Sequence, residues 1–316
     1  MIRVVGANPA MDRISTWPPL RLGRVNRAAQ VSVVPGGKGF NVARAALRLG
    51  ASATAYGFLG GDVGESLRAL IAADGVEDRH TTISAGTRVC FVVVEPDAER
   101  TTVLNEPGPA VTEAEIGRFL DDIRADAAVG DLLVISGSLP DSVPASVVAE
   151  ILDIGREAGS RTVVDIHSES LRVAFASRPW MLKCNRRELL ELLGTPDPDA
   201  PLRPAELAVE MQRIRGHGIE VVVVTLGAEG ALLADADGVV HAVAPSITEI
   251  NPTGSGDLFL AGLTVGIEQG LAARDALVRG VACGTAGATH LPPELPPDFR
   301  LDSWLTDIAL DVVAEA

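Results

Sequence analysis

A glycine-rich run near the end of the chain sets a predicted anion site beside a carboxylate. The run Asn251–Gly262 reads Asn-Pro-Thr-Gly-Ser-Gly-Asp-Leu-Phe-Leu-Ala-Gly. If a helix begins here, Gly254, Ser255 and Gly256 expose backbone N–H groups at its N-terminus, where unpaired donors and the helix dipole favour an anion. The Asp257 carboxylate would not bind a phosphate, but it could take a proton from a hydroxyl that attacks one. The run indicates phosphoryl transfer, and a capped helix with Asp257 in its first turn is the alternative.

A second glycine-rich segment carries one of the two lysines of the chain. Residues 36–39 read Gly-Gly-Lys-Gly and precede a helical pattern. The backbone donors around Gly37 and the single ammonium group suit a phosphate or a polyol, whereas a turn with a solvated lysine is the alternative. Among 27 basic residues only Lys38 and Lys183 are lysine, which favours a specific role for Lys38. Arg88 enters a predicted strand, where it could bind an anion or remain an exposed edge charge.

Asn185 and Glu188 stand three residues apart at a predicted helix start. An amide and a carboxylate at this spacing lie on one side of the helix and could order the water ligands of Mg²⁺, which prefers oxygen partners. Asn as N-cap with Glu three residues later is also a capping arrangement. Both interpretations stay open at this level.

The composition narrows the classes of partner. The net charge of −15 argues against nucleic acid or an anionic membrane surface, because the chain has no general basic field to attract them. Hydrophobic residues make up 47% but aromatics only 3%, which predicts an aliphatic core. Three separated cysteines, no apolar stretch near about 20 residues and no basic leader pattern predict a cytoplasmic protein with reduced thiols.

Apolar periodicity predicts a chain in which strands and helices alternate, as in a parallel sheet built from βαβ units. The predicted strands are 2–6, 53–58, 132–136, 162–166, 181–184 and 221–226, and the predicted helices are 40–49, 63–73, 112–128, 145–158, 187–193, 204–215, 254–269 and 272–288. A strand across 25–34 and a hairpin of 87–95 with 101–104 predict a small accessory sheet. Residues 194–204 are predicted as a surface loop and 291–297 as a Pro-rich turn, followed by a terminal helix from Leu301.

Polar residues follow several of these strands. In an open parallel sheet, ligands bind beyond the carboxyl ends of the strands. Asp12 is expected after the first strand, Ser138 after the strand that ends at 136, Lys183 and Asn185 at the end of a third, and Thr225 at the end of a fourth. These side chains are therefore expected to face one crevice.

Two of these segments together resemble the signatures of the ribokinase-like (PfkB) carbohydrate kinases. Residues 35–44, Pro-Gly-Gly-Lys-Gly-Phe-Asn-Val-Ala-Arg, look like the N-terminal motif of the family, and Asn251–Gly262 look like its C-terminal motif. Further segments at 8–12, 23–27, 105–109, 136–140 and 226–230 look like the hexose-phosphate branch, which contains 1-phosphofructokinases and tagatose-6-phosphate kinases. Asn251-Pro252, Cys184 and His167-Ser168 depart from the usual pattern of that branch.

The resemblance implies a fold, cofactors and roles for individual residues. The fold would be a three-layer, doubly wound α/β domain spanning residues 1–316, with a mostly parallel sheet and a small β-sheet lid formed by parts of 12–36 and 79–106. Asp257 with Gly254, Ser255 and Gly256 would form the catalytic group. The implied substrate-binding residues are Asp12, Gly37, Lys38, Asn41, Arg88 and Ser138, the nucleotide-binding residues are Lys183, Thr225, Gly227, Gly230 and Gly254, and Asn185 and Glu188 would support Mg²⁺ through water.

The implied activity is ATP- and Mg²⁺-dependent phosphorylation of a primary hydroxyl of a ketohexose monophosphate. The first choice of reaction is fructose 1-phosphate to fructose 1,6-bisphosphate, with tagatose 6-phosphate and fructose 6-phosphate as alternative substrates. A kinase for nucleosides or unphosphorylated sugars, and a catalytically silent sugar-phosphate sensor, are the more distant alternatives. A homodimer formed through the lid strands is expected, because exposed strand edges can pair.

Overall fold

The structure is a computed structural model that describes every residue except 99, 196, 200, 201, 292 and 316. In chain order its strands are β1 (Ile2–Val5), β2 (Ala10–Thr16), β3 (Gln30–Gly36), β4 (Ala53–Tyr56), β5 (Phe58–Leu59), β6 (Glu77–Asp78), β7 (Thr81–Thr82), β8 (Arg88–Glu95), β9 (Arg100–Asn105), β10 (Leu132–Ser136), β11 (Arg161–Asp165), β12 (Met181–Asn185), β13 (Val221–Thr225), β14 (Ala231–Asp235), β15 (Gly238–Val243) and β16 (Ala309–Glu315). The helices are α1 (Lys38–Arg48), α2 (Gly61–Asp74), α3 (Glu113–Asp126), α4 (Ser146–Glu157), α5 (Ser168–Ser177), α6 (Arg186–Leu192), α7 (Pro204–Arg215), α8 (Ser255–Glu268), α9 (Ala273–Ala288) and α10 (Leu301–Leu305).

A large sheet forms the middle layer. Its strand order is β16-β15-β14-β13-β12-β11-β10-β1-β4-β6, parallel from β6 to β13 and antiparallel from β13 to β16. Strands such as β13, Val-Val-Val-Val-Thr, are apolar throughout because helices cover both faces. One face packs on α1, α2, α8 and α9, and the other on α3 to α7. The predicted three-layer α/β fold is confirmed.

A smaller sheet lies beside the carboxyl ends of the large one. Its strand order is β3-β2-β8-β9, and Asp12 pairs with Val34 on one side and with Cys90 on the other. Asp12 therefore lies inside a strand of the small sheet, and the expectation that it directly follows the first core strand is wrong. The strand expected over 25–34 begins only at Gln30 and continues to Gly36, because its limits are set by pairing with β2.

The C-terminal part of the chain differs most from expectation. The helix predicted from Leu301 ends at Leu305, and Ala309–Glu315 form an edge strand that pairs with β15. Neither β14 nor β15 was predicted, nor was α5. Edge pairing depends on a partner strand that the fold brings close, so local periodicity is a poor guide here. The predicted segments 194–204 and 291–297 each contain positions outside the described residues. Of the helices described, none has the length and apolar character needed to cross a membrane.

Candidate active site

Two cavities meet at the N-terminus of α8. The first, of about 410 Å³, lies between the small sheet and the carboxyl ends of the core strands. The second, of about 400 Å³, lies on the other side of that helix end. Thr225 and Gly256 line both cavities, and Asp257 lines the first. This arrangement leaves room for two ligands whose reacting ends meet beside Asp257.

The start of α8 has the geometry of an anion site. Gly254 is the N-cap with φ +84°, a conformation that favours glycine, and a Cβ atom there would lie 2.3 Å from Cβ of Pro293. The Ser255 N–H donates to the Pro252 carbonyl, and the Asp257 N–H donates to the Gly254 carbonyl. Within the described part of the chain, the N–H groups of Gly254 and Gly256 have no acceptor. The free donors are thus two alternate N–H groups rather than the consecutive set that was expected.

Asp257 lies in the first turn of α8 and is only 4% exposed. Asn41 Nδ2 donates to its Oδ2 at 2.8 Å. Burial raises the pKa of Asp257 to about 6, although Lys38 and the hydrogen bond from Asn41 oppose the rise. A carboxylate with a pKa near 6 is ionised at neutral pH and is still basic enough to accept a proton.

Both lysines of the chain contact one aspartate at the end of β11. Lys183 Nζ lies 2.8 Å from Oδ2 of Asp165, and Lys38 Nζ lies 3.8 Å from its Oδ1. Burial acts to raise the pKa of Asp165, but the two ammonium groups outweigh it and the pKa is lowered. The Asp165 carboxylate in turn raises the pKa of Lys38. Sequence reasoning did not select Asp165, although its position at the carboxyl end of a core strand is a signal that could have found it.

Two residues expected at the nucleotide line the first cavity instead of the second. Lys183 is buried, and its Nζ would lie 3.4 Å from a Cβ atom placed on Gly256. It therefore lies directly behind the anion site. Gly254 also faces the first cavity, whereas Gly227 and Gly230 line the second and Thr225 lines both. The expected nucleotide group is thus divided between the two cavities.

The residues expected at the substrate all line the first cavity: Asp12, Gly37, Lys38, Asn41, Arg88 and Ser138. Arg88 donates to the carbonyls of Asn8, Pro9 and Glu106, which leaves two of its five N–H groups for a ligand. Burial raises the pKa of Asp12 to about 6 while Arg88 opposes the rise. Ser138 Oγ accepts a hydrogen bond from Asn8 Nδ2 at 3.2 Å.

Buried polar atoms without partners concentrate at the two cavities. Such atoms are costly unless a ligand or water satisfies them. In the described residues, Asn8 Oδ1, Asn41 Oδ1 and Ser136 Oγ have no partner and belong to residues that line the first cavity. Ser255 Oγ is in the same state beside the second. Asn8 and Ser136 were not predicted as site residues, and only their unpaired state in the fold points to them.

The segment that begins at Asn185 forms the capping box in full. Asn185 N donates to Glu188 Oε2 at 2.8 Å, and Glu188 N donates to Asn185 Oδ1 at 2.9 Å. Both residues also line the first cavity, and Glu188 Oε1 is not used by the cap. No cluster of three or more His, Cys, Asp or Glu in the described part of the chain could hold a metal ion alone. A Mg²⁺ ion bound near Glu188 would take most of its ligands from phosphates and water, as this ion commonly does.

Comparison with known proteins identifies relatives across nearly the whole chain. The sequence pattern of the family described as "pfkB family carbohydrate kinase" matches residues 2–292. The 1-phosphofructokinase of Bacillus subtilis is 31% identical over 91% of this chain and 92% of its own length. The ATP-dependent 6-phosphofructokinase isozyme 2 of Mycobacterium tuberculosis is 34% identical over 88% and 81%. The crystal structure of Escherichia coli phosphofructokinase-2 in complex with fructose-6-phosphate superposes with a TM-score of 0.88 at 27% identity, covering 96% of this chain and 98% of that one.

Proposed function

Because the chain belongs to the pfkB family of carbohydrate kinases, we propose that it phosphorylates O6 of fructose 1-phosphate with ATP, giving fructose 1,6-bisphosphate. A phosphotransferase that acts on the alcohol group of a sugar phosphate is the activity its relatives share. The observation that carries the proposal is the buried Asp257 carboxylate at the junction of the two cavities. It stands next to free N–H donors and opposite two lysines, so a base, an anion site and cationic groups converge on one point.

Asp257 acts as the general base in this proposal. The sugar hydroxyl lies in the first cavity and gives its proton to Asp257 while its oxygen attacks the γ-phosphorus in line. Asn41 holds the carboxylate through Nδ2 and offers its unpaired Oδ1 to a sugar hydroxyl. The N–H groups of Gly254 and Gly256 stabilise the charge on the transferring group, and Lys183 adds a positive charge behind them.

The phosphate that the sugar already carries is bound by Lys38 and Arg88. Lys38 is 38% exposed toward the cavity, and Arg88 has two N–H groups to spare. Asp12 binds a sugar hydroxyl, and Ser138 and the Gly37 backbone complete the contacts. The small sheet covers this cavity, with Asp12, Cys90 and Asn105 facing inward, and acts as a lid that excludes water.

ATP occupies the second cavity in this proposal. Gly227 and Gly230 line it with φ of +62° and +94°, and a Cβ atom on Gly230 would lie 2.0 Å from the Ala242 carbonyl oxygen, so a larger residue would close the wall. Thr225 lies where the phosphates pass toward Gly256. Mg²⁺ near Glu188 would neutralise charge on the phosphate oxygens. Asn185 and the cap orient Glu188 for this role.

Phosphorylation of fructose 6-phosphate at O1 is the second candidate, since relatives named 6-phosphofructokinase match as well as those named 1-phosphofructokinase. The two reactions yield the same bisphosphate but place the new phosphate at different carbons. Transfer of isotopically labelled γ-phosphate, followed by location of the label, separates them. Label at C1 would overturn the first choice, and a panel with tagatose 6-phosphate completes the comparison.

The test of the base is Asp257→Asn with Asp62→Asn as its matched control. Asp62 is the first-turn aspartate of α2 and lies outside both cavities. If Asp257 only stabilises its helix through the dipole, the two variants will behave alike. We expect Asp257→Asn to lower kcat by about 10³-fold or more and to leave sugar binding largely intact, while Asp62→Asn remains active. Near-normal kcat in Asp257→Asn would refute the assignment.

A homodimer is proposed through the small sheet. Its face away from the cavity exposes Val31, Val33 and Leu104. Contiguous exposed apolar side chains of this kind often mark an interface. Gel filtration with light scattering is expected to give a dimer that Val33→Glu dissociates, and a monomeric wild type would refute this. The three cysteines are buried free thiols, which agrees with the cytoplasmic location that we propose.

A further inference from the structure

Residues 293–296, which we call the strap, cross from the end of α9 to the far side of the anion site. At one end of the strap, Pro293 packs against Gly254 so closely that a Cβ atom on this glycine would lie 2.3 Å from Cβ of Pro293. Leu295, in the strap itself, is 1% exposed and belongs to the same apolar cluster as the buried residues of α1 and α8. The strap therefore touches the N-cap of α8 directly.

Two arginines of α1 hold the strap. Arg48 donates from Nη1 to the Leu295 carbonyl at 2.8 Å and from Nη2 to the Pro296 carbonyl. Arg44 Nη2 lies 3.1 Å from Oε2 of Glu294, and its Nε lies 2.8 Å from Oδ2 of Asp74. The two arginines are four residues apart and so lie on one face of the helix. A guanidinium group suits these bonds because its donors are fixed in a planar fork.

The same helix carries residues of the sugar side of the site. Lys38 is its first residue, and Asn41 in its first turn donates to Asp257. Helix α1 thus contacts the start of α8 at two points, directly through Asn41 and indirectly through the strap. One rigid element therefore bears on both the group that binds the sugar and the group that binds the transferred phosphate.

We propose that Arg44 and Arg48 are positioning residues for phosphoryl transfer, which press the strap onto Gly254 and so fix the free N–H groups of α8 relative to the sugar. The inference rests on the proposed kinase activity, since phosphate transfer is what the strap serves. Neither arginine lines the first or the second cavity, so neither touches a substrate bound there. Their effect is expected on the rate of transfer and not on the binding of either substrate.

The variants Arg44→Ala and Arg48→Ala test this, with Arg48→Lys as the conservative change. Arg156→Ala is the matched control, because Arg156 pairs with Asp153 and donates to the Ser177 carbonyl far from both cavities. We expect kcat to fall by about 10-fold to about 100-fold, since small misplacements of reacting groups cost rates of this order. The KM values for sugar phosphate and ATP should change by less than about threefold, and Arg48→Lys should recover part of the rate.

A binding experiment isolates the anion site. Affinity for ADP with aluminium tetrafluoride, in the presence of sugar phosphate, reports how well the site fits a transferring phosphoryl group. The arginine variants should bind this complex more weakly and bind ADP alone as wild type does. Thermal unfolding measured in parallel gives the folded fraction at the assay temperature.

The outcomes separate the strap from the proposed function. A wild type without kinase activity would refute the function itself. An active wild type whose arginine variants keep the kcat of Arg156→Ala would overturn the strap, and so would a loss that follows the folded fraction or weakens ADP alone equally. A fall in kcat with intact KM values, intact ADP binding and weakened fluoride-complex binding supports it.

Discussion

Removing the hydrogen bond between Asn41 and Asp257 should move the pH dependence of the enzyme. Asn41 Nδ2 donates to Asp257 at 2.8 Å, and this bond lowers the pKa of a carboxyl group that burial has raised to about 6. Leu has nearly the shape of Asn and cannot donate, so Asn41→Leu removes the bond while keeping the space filled. The pKa of Asp257 should therefore rise further.

The size of the shift follows from the strength of such bonds. A hydrogen bond to an ionised group contributes about 1.5–3 kcal/mol, and about 1.4 kcal/mol corresponds to one pKa unit. Relaxation around the site reduces this, so we expect a rise of about one unit. With a pKa near 7 instead of 6, the ionised fraction of Asp257 at pH 6 falls from about 50% to about 10%. At pH 8 nearly all of the base remains ionised in both enzymes.

The assay is kcat/KM for the sugar phosphate from pH 5 to 9, which reports titration of the free enzyme. The base must be ionised to work, so activity is lost on the acid side, and the acid limb of Asn41→Leu should lie about one unit higher than that of wild type. A lower plateau at pH 8 would measure lost contacts between Asn41 and the sugar, and it is separate from the position of the limb.

Asp12 could produce a similar limb, because its pKa is also raised to about 6. Burial and Arg88 set the pKa of Asp12, and Asn41 does not contribute to it. If the limb belonged to Asp12, Asn41→Leu would lower the plateau without moving the limb. Asp12→Asn is the complementary control and should leave the limb in place. A limb that stays fixed or moves to lower pH in Asn41→Leu would refute Asp257 as the titrating base.

Three further predictions concern stability, substrate and metal. Because its folded pKa is raised, Asp257 contributes stability that is present below about pH 4 and lost as pH rises through about 6; Asp257→Asn should therefore raise the free energy of unfolding by about 1–3 kcal/mol at pH 8 and by much less at pH 4, and denaturant titrations showing a loss at pH 8 would contradict this. Lys38→Met should raise KM for the sugar phosphate by about 10-fold to about 100-fold with little change in KM for ATP, since one charged hydrogen bond is removed; equal increases in both would argue against a phosphate contact. Glu188→Gln keeps the capping box and so should keep the melting temperature, but it should raise the Mg²⁺ concentration for half-maximal rate several-fold; an unchanged Mg²⁺ dependence would leave Glu188 as a cap alone.

Much of the core could be predicted because its signals are local. Continuous apolar runs such as Val221–Thr225 and amphipathic helices such as α4 follow from periodicity alone, and both appear close to their expected bounds. The edge strands β14, β15 and β16 were missed because each depends on a partner that only the fold supplies. Asp12 was misplaced for the same reason, since pairing with β3 and β8 draws it into the small sheet.

The candidate site divides along the same line. The sequence by itself determined that Gly254, Gly256 and Asp257 share one helix start and that Lys38 follows a glycine turn, because glycine conformation and helix ends are properties of a few adjacent residues. Only the tertiary structure decided that Asn41 reaches Asp257 and that Asp165 lies between both lysines. Such contacts join residues far apart in the chain, and they form because a buried charge must find a partner wherever the packing of the sheet provides one.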